Sequence, residues 1–415
     1  MTTRRRAEEL DQADLLADFR EQFVITDPGL LYLDGNSLGR LPKRTIEAVE
    51  TALHGEWGDR LVRAWPETWI EQPRRIGADL AGLIGAQPDE VLLADQTSIN
   101  LYKLAVAALR ARAPRRTVLT DSGNFPSDSY VLSGAAADAG GSIRIVNTDP
   151  VAPSSDAVGA LLDDEVALVS MSHVNYKSGA LHDMAAVTAA ARSAGALSLW
   201  DLSHSVGAVP IDLNGAGVDL AVGCTYKYLN GGPGAPAFLF VARHLQEELE
   251  QPIHGWWGHA DMFAFEGDYH PAPGIDRFAV GTIPVLSMVG AREGIALTAE
   301  AGIEAIRTKS MAITSFMTDL FDELPAEFGF IFGSPRDPAR RGSHVSLRHP
   351  DGYQIAQALI RDDVVPDFRA PDVIRLGAAP LYTRFVDVWD AFARLRTIME
   401  SGSYRTFPKA RARVT

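Results

Sequence analysis

A lysine closes the apolar run LAVGCTYK, residues 220–227, just before the turn NGGPG. An ammonium group is costly where a chain has just been inside a core, so Lys227 calls for a use at that place. An aspartate stands 26 residues earlier, Asp201, at the end of LSLWD (197–201), and Ser203 and His204 follow it. VALVSMS (166–172) ends in Ser172 with His173 next, and Tyr226 directly precedes the lysine. Upstream, DQTSINLYKL offers Thr97 and Ser98 at a predicted helix start, and NFPSD brings Phe125, Pro126, Ser127 and Asp128 after another apolar run. Hydroxyls and free N–H groups at a helix start suit a phosphate.

Each piece alone has a plain structural reading. Lys227 can snorkel out of a strand end, Asp201 can cap a turn, and His204 can be a satisfied core histidine. Thr97 and Ser98 can simply cap a helix, Phe125 can be core, and Cys224 reads as a small hydrophobe within its strand. Together they match one cofactor. Pyridoxal phosphate needs an amine for its Schiff base, a carboxylate for its ring nitrogen and a cup for its phosphate.

The elements that must position these groups are legible as an alternation. TVLTD (117–121), SIRIV (142–146), VALVSMS, LSLWD, DLAVGCT (219–225) and AFLFVA (237–242) read as strands. Several are apolar throughout, as expected of strands covered on both faces. PSDSYVLSGAAADAG and MAAVTAAARSAG read as intervening helices ending at glycine. The alternation predicts an α/β domain with a largely parallel sheet, and ligands in such sheets gather beyond the strands' carboxyl ends. Beyond GTIPVLSM (281–288) two helices over 285–323 are expected, then short strands SHVSLRH (343–349), VVPDF (364–368) and VIRLGA (373–378), and a last helix near 385–400. The domain reading is an N-terminal helical segment 1–30, with a helix near 7–24, a large cofactor-binding domain 31–287 and a small α+β domain 288–415.

Composition sets the bounds. The 415 residues are 46% apolar and 22% charged, with 39 basic and 53 acidic side chains for a net charge of −14. That balance argues against nucleic acid or an anionic membrane as partner. A single cysteine excludes an intrachain disulfide framework and a cysteine-rich zinc site, and no metal is expected. The start MTTRRRAEEL carries no apolar run and no stretch is long enough to span a bilayer, so a soluble cytoplasmic protein is expected.

Longer motifs carry a resemblance. YLDGNSLGRLP (32–42), TSINLYKL (97–104), NFPSDSY (124–130), SHVNYKSG (172–179), WDLSHSVGAVPIDL (200–213), CTYKYLNGGPGAPAFLFV (224–241), GWWGH (255–259) and GIDRFAVGTIPVLSM (274–288) resemble, in matching order, the kynureninases. IRLGAAPLYTRFVDV (374–388) also fits. These are fold type I pyridoxal-phosphate enzymes, with a mainly parallel seven-stranded large domain and a smaller α+β domain. The resemblance implies hydrolytic Cβ–Cγ cleavage of L-kynurenine to anthranilate and L-alanine, within tryptophan catabolism and NAD biosynthesis. It makes Lys227 the Schiff-base lysine, Asp201 the partner of the ring nitrogen and Tyr226 a phosphate ligand and proton donor. Phe125 would lie against the ring; Thr97, Ser98, Pro126, Ser127, Asp128, Ser172 and His204 would complete the cofactor site. Trp256 and Thr282 would reach it from a second subunit, implying a homodimer. Arg375 would clamp the substrate carboxylate, aided by Asn36, and Trp65, Gly281 and Thr282 would favour kynurenine over its 3-hydroxy analogue. Ser203 stands where the family commonly has alanine, and Ser98 where bacterial relatives often have threonine. The rival reading is another enzyme of this fold type, such as a cysteine desulfurase or class V aminotransferase.

Overall fold

The structure, a computed structural model, describes residues 2–265 and 267–409. A two-residue strand, β1 (Leu31–Tyr32), precedes the main sheet. That sheet contains β2 (Val91–Leu93), β3 (Thr117–Asp121), β4 (Ser142–Val146), β5 (Val166–Ser172), β6 (Leu197–Asp201), β7 (Leu220–Gly223) and β8 (Phe238–Val241). Their spatial order is β2-β8-β7-β6-β5-β3-β4. Pairing is parallel from β4 across to β7, and β8 alone runs antiparallel to both of its neighbours. Every residue of β3, β5, β6, β7 and β8 is buried, which is why β7 and β8 are continuously apolar and none of the five alternates with a solvent face. Leu101 and Leu104 of helix Thr97–Ala111, Leu132 of helix Pro126–Asp138 and Val187 of helix Met184–Ser193 fill the same core.

A second sheet joins β9 (Ile331–Phe332), β10 (His344–Arg348), β12 (Asp367–Arg369) and β13 (Val373–Gly377), all antiparallel, in the order β12-β13-β10-β9. Between them in sequence, β11 (Val364–Val365) pairs instead with β1. Helices Ile303–Asp322, Gly352–Arg361 and Phe385–Ser401 pack here, and Ala7, Leu31 and Leu33 from the N-terminal segment share this core. Helix Val285–Ala301 sends Met288, Ala291 and Ile295 into the main core. Among the described residues no helix is long and apolar enough to cross a membrane.

Three expectations need correction. The leading helix covers Arg4–Gln12 only, and a separate tight turn, Ala17–Gln22, follows. VVPDF is two strands in two sheets, because Pro366 lacks the N–H that would continue one ladder. DLAVGCT stops pairing at Gly223, so Cys224 lies just past the strand.

The main chain leaves β3 for β4 on one side and returns through β5 on the other. This reversal opens a crevice at the carboxyl edge, the place where such sheets bind ligands.

Candidate active site

Asp201 is the last residue of β6 and pairs in register with Ser172, the last of β5. Its Oδ1 accepts the Ser203 N–H at 2.8 Å, and the Ser203 hydroxyl accepts the Cys224 N–H at 3.2 Å. Ser203 thus ties the Asp201 turn to the segment carrying the lysine. That segment is pinned from outside as well. Gly39 N–H donates to the Tyr226 carbonyl at 2.8 Å, and a Cβ on Gly39 would sit 2.4 Å from the Lys227 carbonyl oxygen. Only glycine lets GNSLG press this closely on the lysine backbone.

Lys227 Nζ lies 3.0 Å from His204 Nε2. His204 is fully buried; burial first, then the charges of Lys227 and Arg375, holds its imidazole well below the usual histidine range. The ring is therefore neutral, and its Nδ1 has no hydrogen-bond partner. Tyr226 is half-buried with Lys227 Nζ 5.9 Å from its ring centre; the adjacent Cys224 sulfur and burial push its hydroxyl up, so it remains protonated. Cys224 itself is buried, and desolvation raises its thiol.

On the β3 side, Ser172 Oγ donates to Asn124 Oδ1 at 2.7 Å, and the same oxygen accepts the Phe125 N–H at 2.8 Å. Asn124 thus sets where helix Pro126–Asp138 begins. Phe125 is half-exposed and meets Tyr176 edge-on with ring centres 5.1 Å apart. The starts of helices Thr97–Ala111 and Pro126–Asp138 lie together, with Ser98 Oγ 3.2 Å from Ser127 Oγ. Neither helix has a side-chain cap; Pro126 carries no N–H and the Asp128 N–H donates to the Phe125 carbonyl at 2.9 Å, which leaves the Ser127 N–H beside the start of the other helix.

Arg375, on β13, comes from the second sheet and is almost fully buried. It donates to the Tyr176 carbonyl (2.5 Å), to Ser37 Oγ (3.1 Å) and to Asp367. Asn36 is also buried, and neither end of its amide has a partner. A Cβ on Gly377 would lie 1.7 Å from Asn36 Oδ1, so the glycine makes room for that amide.

Trp65, Trp256, Gly281 and Thr282 form a separate group. Trp65 meets Trp257 at 5.5 Å and Trp256 meets Trp257 at 5.0 Å. Gly281 and Thr282 line a cavity of about 200 Å³ together with Asp95 and Gln96. Among the described residues none of the four has a hydrogen bond or ring contact with Lys227, His204 or Asp201. Sequence reasoning missed Asn124, Tyr176, Ser37, Asp367 and His344. Asn124, Tyr176 and Ser37 lie inside quoted motifs, but Asp367 and His344 have no functional signal in the sequence.

The cofactor can be tested against these side chains. Asp128 and Asp201 lie against each other; burial, then the Asp201 charge, holds the Asp128 carboxyl well above the usual range, while Lys227 pulls it down. Asp128 Oδ2 has no donor within reach. Two facing carboxylates short of a donor suit a protonated ring nitrogen, and the paired hydroxyls at two uncapped helix starts suit a phosphate. With the Lys227 amine close enough for its charge to act on Asp128, the residues fit pyridoxal phosphate.

Residues 306–395 match a family model described as the kynureninase C-terminal domain. The chain is 46% identical over 410 residues to a kynureninase of Burkholderia mallei (strain ATCC 23344), covering 98% of this chain and 97% of that protein. It is 43% identical over 407 residues to the kynureninase of Pseudomonas fluorescens, covering 96% of each. Among solved structures, the apo cysteine desulfurase of Thermococcus onnurineus NA1 superposes with a TM-score of 0.80 at 18% identity, covering 92% of this chain and 98% of that one. A C-DES mutant with glycine covalently linked to its PLP cofactor gives 0.79 at 20% identity, covering 91% and 98%. At those identities the two structures speak for the fold alone.

Proposed function

The chain belongs to the kynureninase family, a family of pyridoxal-phosphate-dependent hydrolases of carbon–carbon bonds, and we propose how its own residues divide that work. The substrate is L-kynurenine and the products are anthranilate and L-alanine. When bound, pyridoxal phosphate supplies an aldehyde for the substrate amine and a ring that draws electrons from Cα. Lys227 holds the cofactor and its Nζ then takes the Cα proton, with neutral His204 orienting that nitrogen. Asp201, with Asp128 beside it, holds the proton at the ring nitrogen. Ser98, Ser127 and Thr97 take the phosphate with the two helix starts, and Phe125, Pro126 and Ser172 border the ring.

Arg375 takes the substrate carboxylate, with Asn36 next to it. Water adds its hydroxyl to the γ carbon, the Cβ–Cγ bond breaks, and anthranilate leaves. Tyr226 Oη gives a proton to Cβ, a role suited to a hydroxyl held protonated, and regains one from the attacking water; Lys227 Nζ returns its proton to Cα, which completes alanine. The observation that carries this assignment is the convergence of Lys227, neutral His204 and the donor-poor Asp128–Asp201 pair at one sheet edge. Reduction with borohydride followed by peptide mass mapping should place the cofactor on Lys227. A Lys227→Ala protein should lose the cofactor absorbance and the fluorescent product; normal turnover by that variant overturns the assignment.

A desulfurase reading needs a mobile reactive thiol, and Cys224 is buried with its thiol raised. The rings of Trp69 and Trp257 pack edge-on against Trp65, an apolar surround that supports a preference for kynurenine over 3-hydroxykynurenine; comparing kcat/KM for the two decides it. Among the described residues Trp256 and Thr282 make no hydrogen bond or ring contact with Lys227 of their own chain, and exposed Trp57, Leu61 and Val62 lie beside Trp65; both support a homodimer in which they reach the partner's cofactor. Light scattering tests that. A lone free cysteine fits a cytoplasmic setting, and tryptophan catabolism is the pathway expected.

A further inference from the structure

A guanidinium grips a carboxylate with two parallel bonds along one of two edges, Nη1/Nη2 or Nε/Nη2, because the third edge is covered by its own side chain. Both usable edges contain Nη2. In this protein both N–H groups of Arg375 Nη2 are engaged, one by Ser37 Oγ at 3.1 Å and one by Asp367 Oδ2. Nη1 donates to the Tyr176 carbonyl, and Nε has no partner. Arg375 therefore already holds a carboxylate and has no complete edge left for another.

Asp367 is not bound to Arg375 alone. Its Oδ2 also accepts from Arg369 Nη2 at 3.1 Å and from Ser37 Oγ at 3.4 Å. Asp367 and Arg375 are direct register partners on β12 and β13, both almost fully buried, whereas the Arg369 side chain is 37% exposed. Asp34 lies in the same pocket, its carboxyl raised to about 6 by burial and by the Asp367 charge, with Oδ1 unpartnered. The pocket is thus crowded with acid, and a further carboxylate enters it only if a resident one gives up its bond.

We infer that Asp367 is a resident counter-ion that occupies the carboxylate grip of Arg375 in the free site and releases it to the substrate while remaining paired with Arg369. Asp367 is a positioning residue: it keeps a buried guanidinium neutralised between turnovers and sets how firmly the substrate carboxylate is held. The inference rests on Arg375 being the carboxylate site.

The test is equilibrium binding to the holoenzyme of L-alanine and of L-alaninamide, which lacks the carboxylate, by calorimetry. Asp367→Asn keeps the shape and removes the competing charge, so L-alanine should bind about tenfold more tightly while L-alaninamide is unchanged, the scale of one charge-assisted hydrogen bond. Arg369→Gln removes the fallback partner, so L-alanine should bind several-fold more weakly and L-alaninamide equally. Equal or weaker L-alanine binding by Asp367→Asn overturns the exchange; if that variant does not fold, unchanged L-alanine binding by Arg369→Gln overturns it. An Arg375→Gln holoenzyme separates the two claims. If it still prefers L-alanine to L-alaninamide by the wild-type ratio, Arg375 is not the carboxylate site, and that assignment fails rather than the exchange.

Discussion

Replacing His344 by asparagine should change how stability depends on pH by an amount that can be worked out in advance. His344 is fully buried in β10, with its ring 5.8 Å from that of His204 and no hydrogen bond to either nitrogen. Burial, then the Arg375 charge, holds its imidazole down at about 3 against an upward pull from the Lys177 backbone, with Lys227 and Arg341 adding smaller downward effects. In the unfolded chain the same ring titrates near ~6.5. Between those values the unfolded state binds a proton that the folded state refuses, so stability falls as pH falls below about 6.5. From about pH 7.5 to about pH 5.5 the loss from this one group is about 1.4 kcal/mol, and it depends on the unfolded value rather than on how far below 5.5 the folded one lies. Asp34, raised to about 6, works with the opposite sign, since its protonated folded form is lost as pH rises through that value. His173 and His204 add further acid sensitivity of the same kind as His344. All three are common to both proteins and cancel in the difference. Urea unfolding of wild type and His344→Asn across this range should therefore show the stability gap moving by about 1.4 kcal/mol in the variant's favour at the acid end. A gap constant to within about 0.3 kcal/mol, or one moving the other way, would refute the claim that this ring is folded away neutral.

Lys103 is fully buried and donates at 2.6 Å both to Asp95 and to the Phe278 carbonyl, tying the approach to helix Thr97–Ala111 to the segment leading to Gly281 and Thr282. Because a quarter of the Asp95 side chain still meets water, the full cost of an orphaned buried charge is discounted, and Lys103→Met should cost about 3 kcal/mol in urea unfolding. A loss below about 1 kcal/mol would show that the pair contributes little. Gly39→Ala should lower kcat about tenfold or more with the fold retained by circular dichroism, since its Cβ would push on the Lys227 carbonyl at 2.4 Å; wild-type kcat would mean the lysine segment shifts without consequence.

Where one local rule decided the structure, the sequence was enough. β3, β5 and β6 begin and end where their predicted runs do, because strands covered on both faces are rich in apolar residues, and the edge strand β4 keeps its bounds through its β-branched residues Ile143, Ile145 and Val146. Asp201 and Lys227 were legible for the same reason: a polar group directly after such a run falls at the carboxyl edge. The first helix was misjudged because its acids serve distant partners. Asp11 accepts the N–H groups of Phe385 and Val386 at 2.7 and 3.1 Å, capping the last helix of the chain. Asp14 pairs with Lys309 at 2.6 Å and accepts the Leu16 N–H, which turns the chain away from helix.

The harder part of the site depends on register between segments far apart in sequence. His344 alternates with its neighbours like any half-buried strand residue, and only the packing of β10 against the Lys227 side takes its ring out of water. Asp367 follows a proline in a short, unremarkable strand, and its role comes from lying opposite Arg375 across a ladder. Tyr176 enters through its carbonyl oxygen, for which residue type carries no signal at all. The groups that perform bond chemistry must be particular residue types, so they leave a trace in the sequence. Those that hold such groups in place act through position, and a different residue pairing would serve as well. That asymmetry explains why Lys227 and Asp201 can be read from the chain, whereas the counter-ion of Arg375 becomes visible only once the two strands are paired.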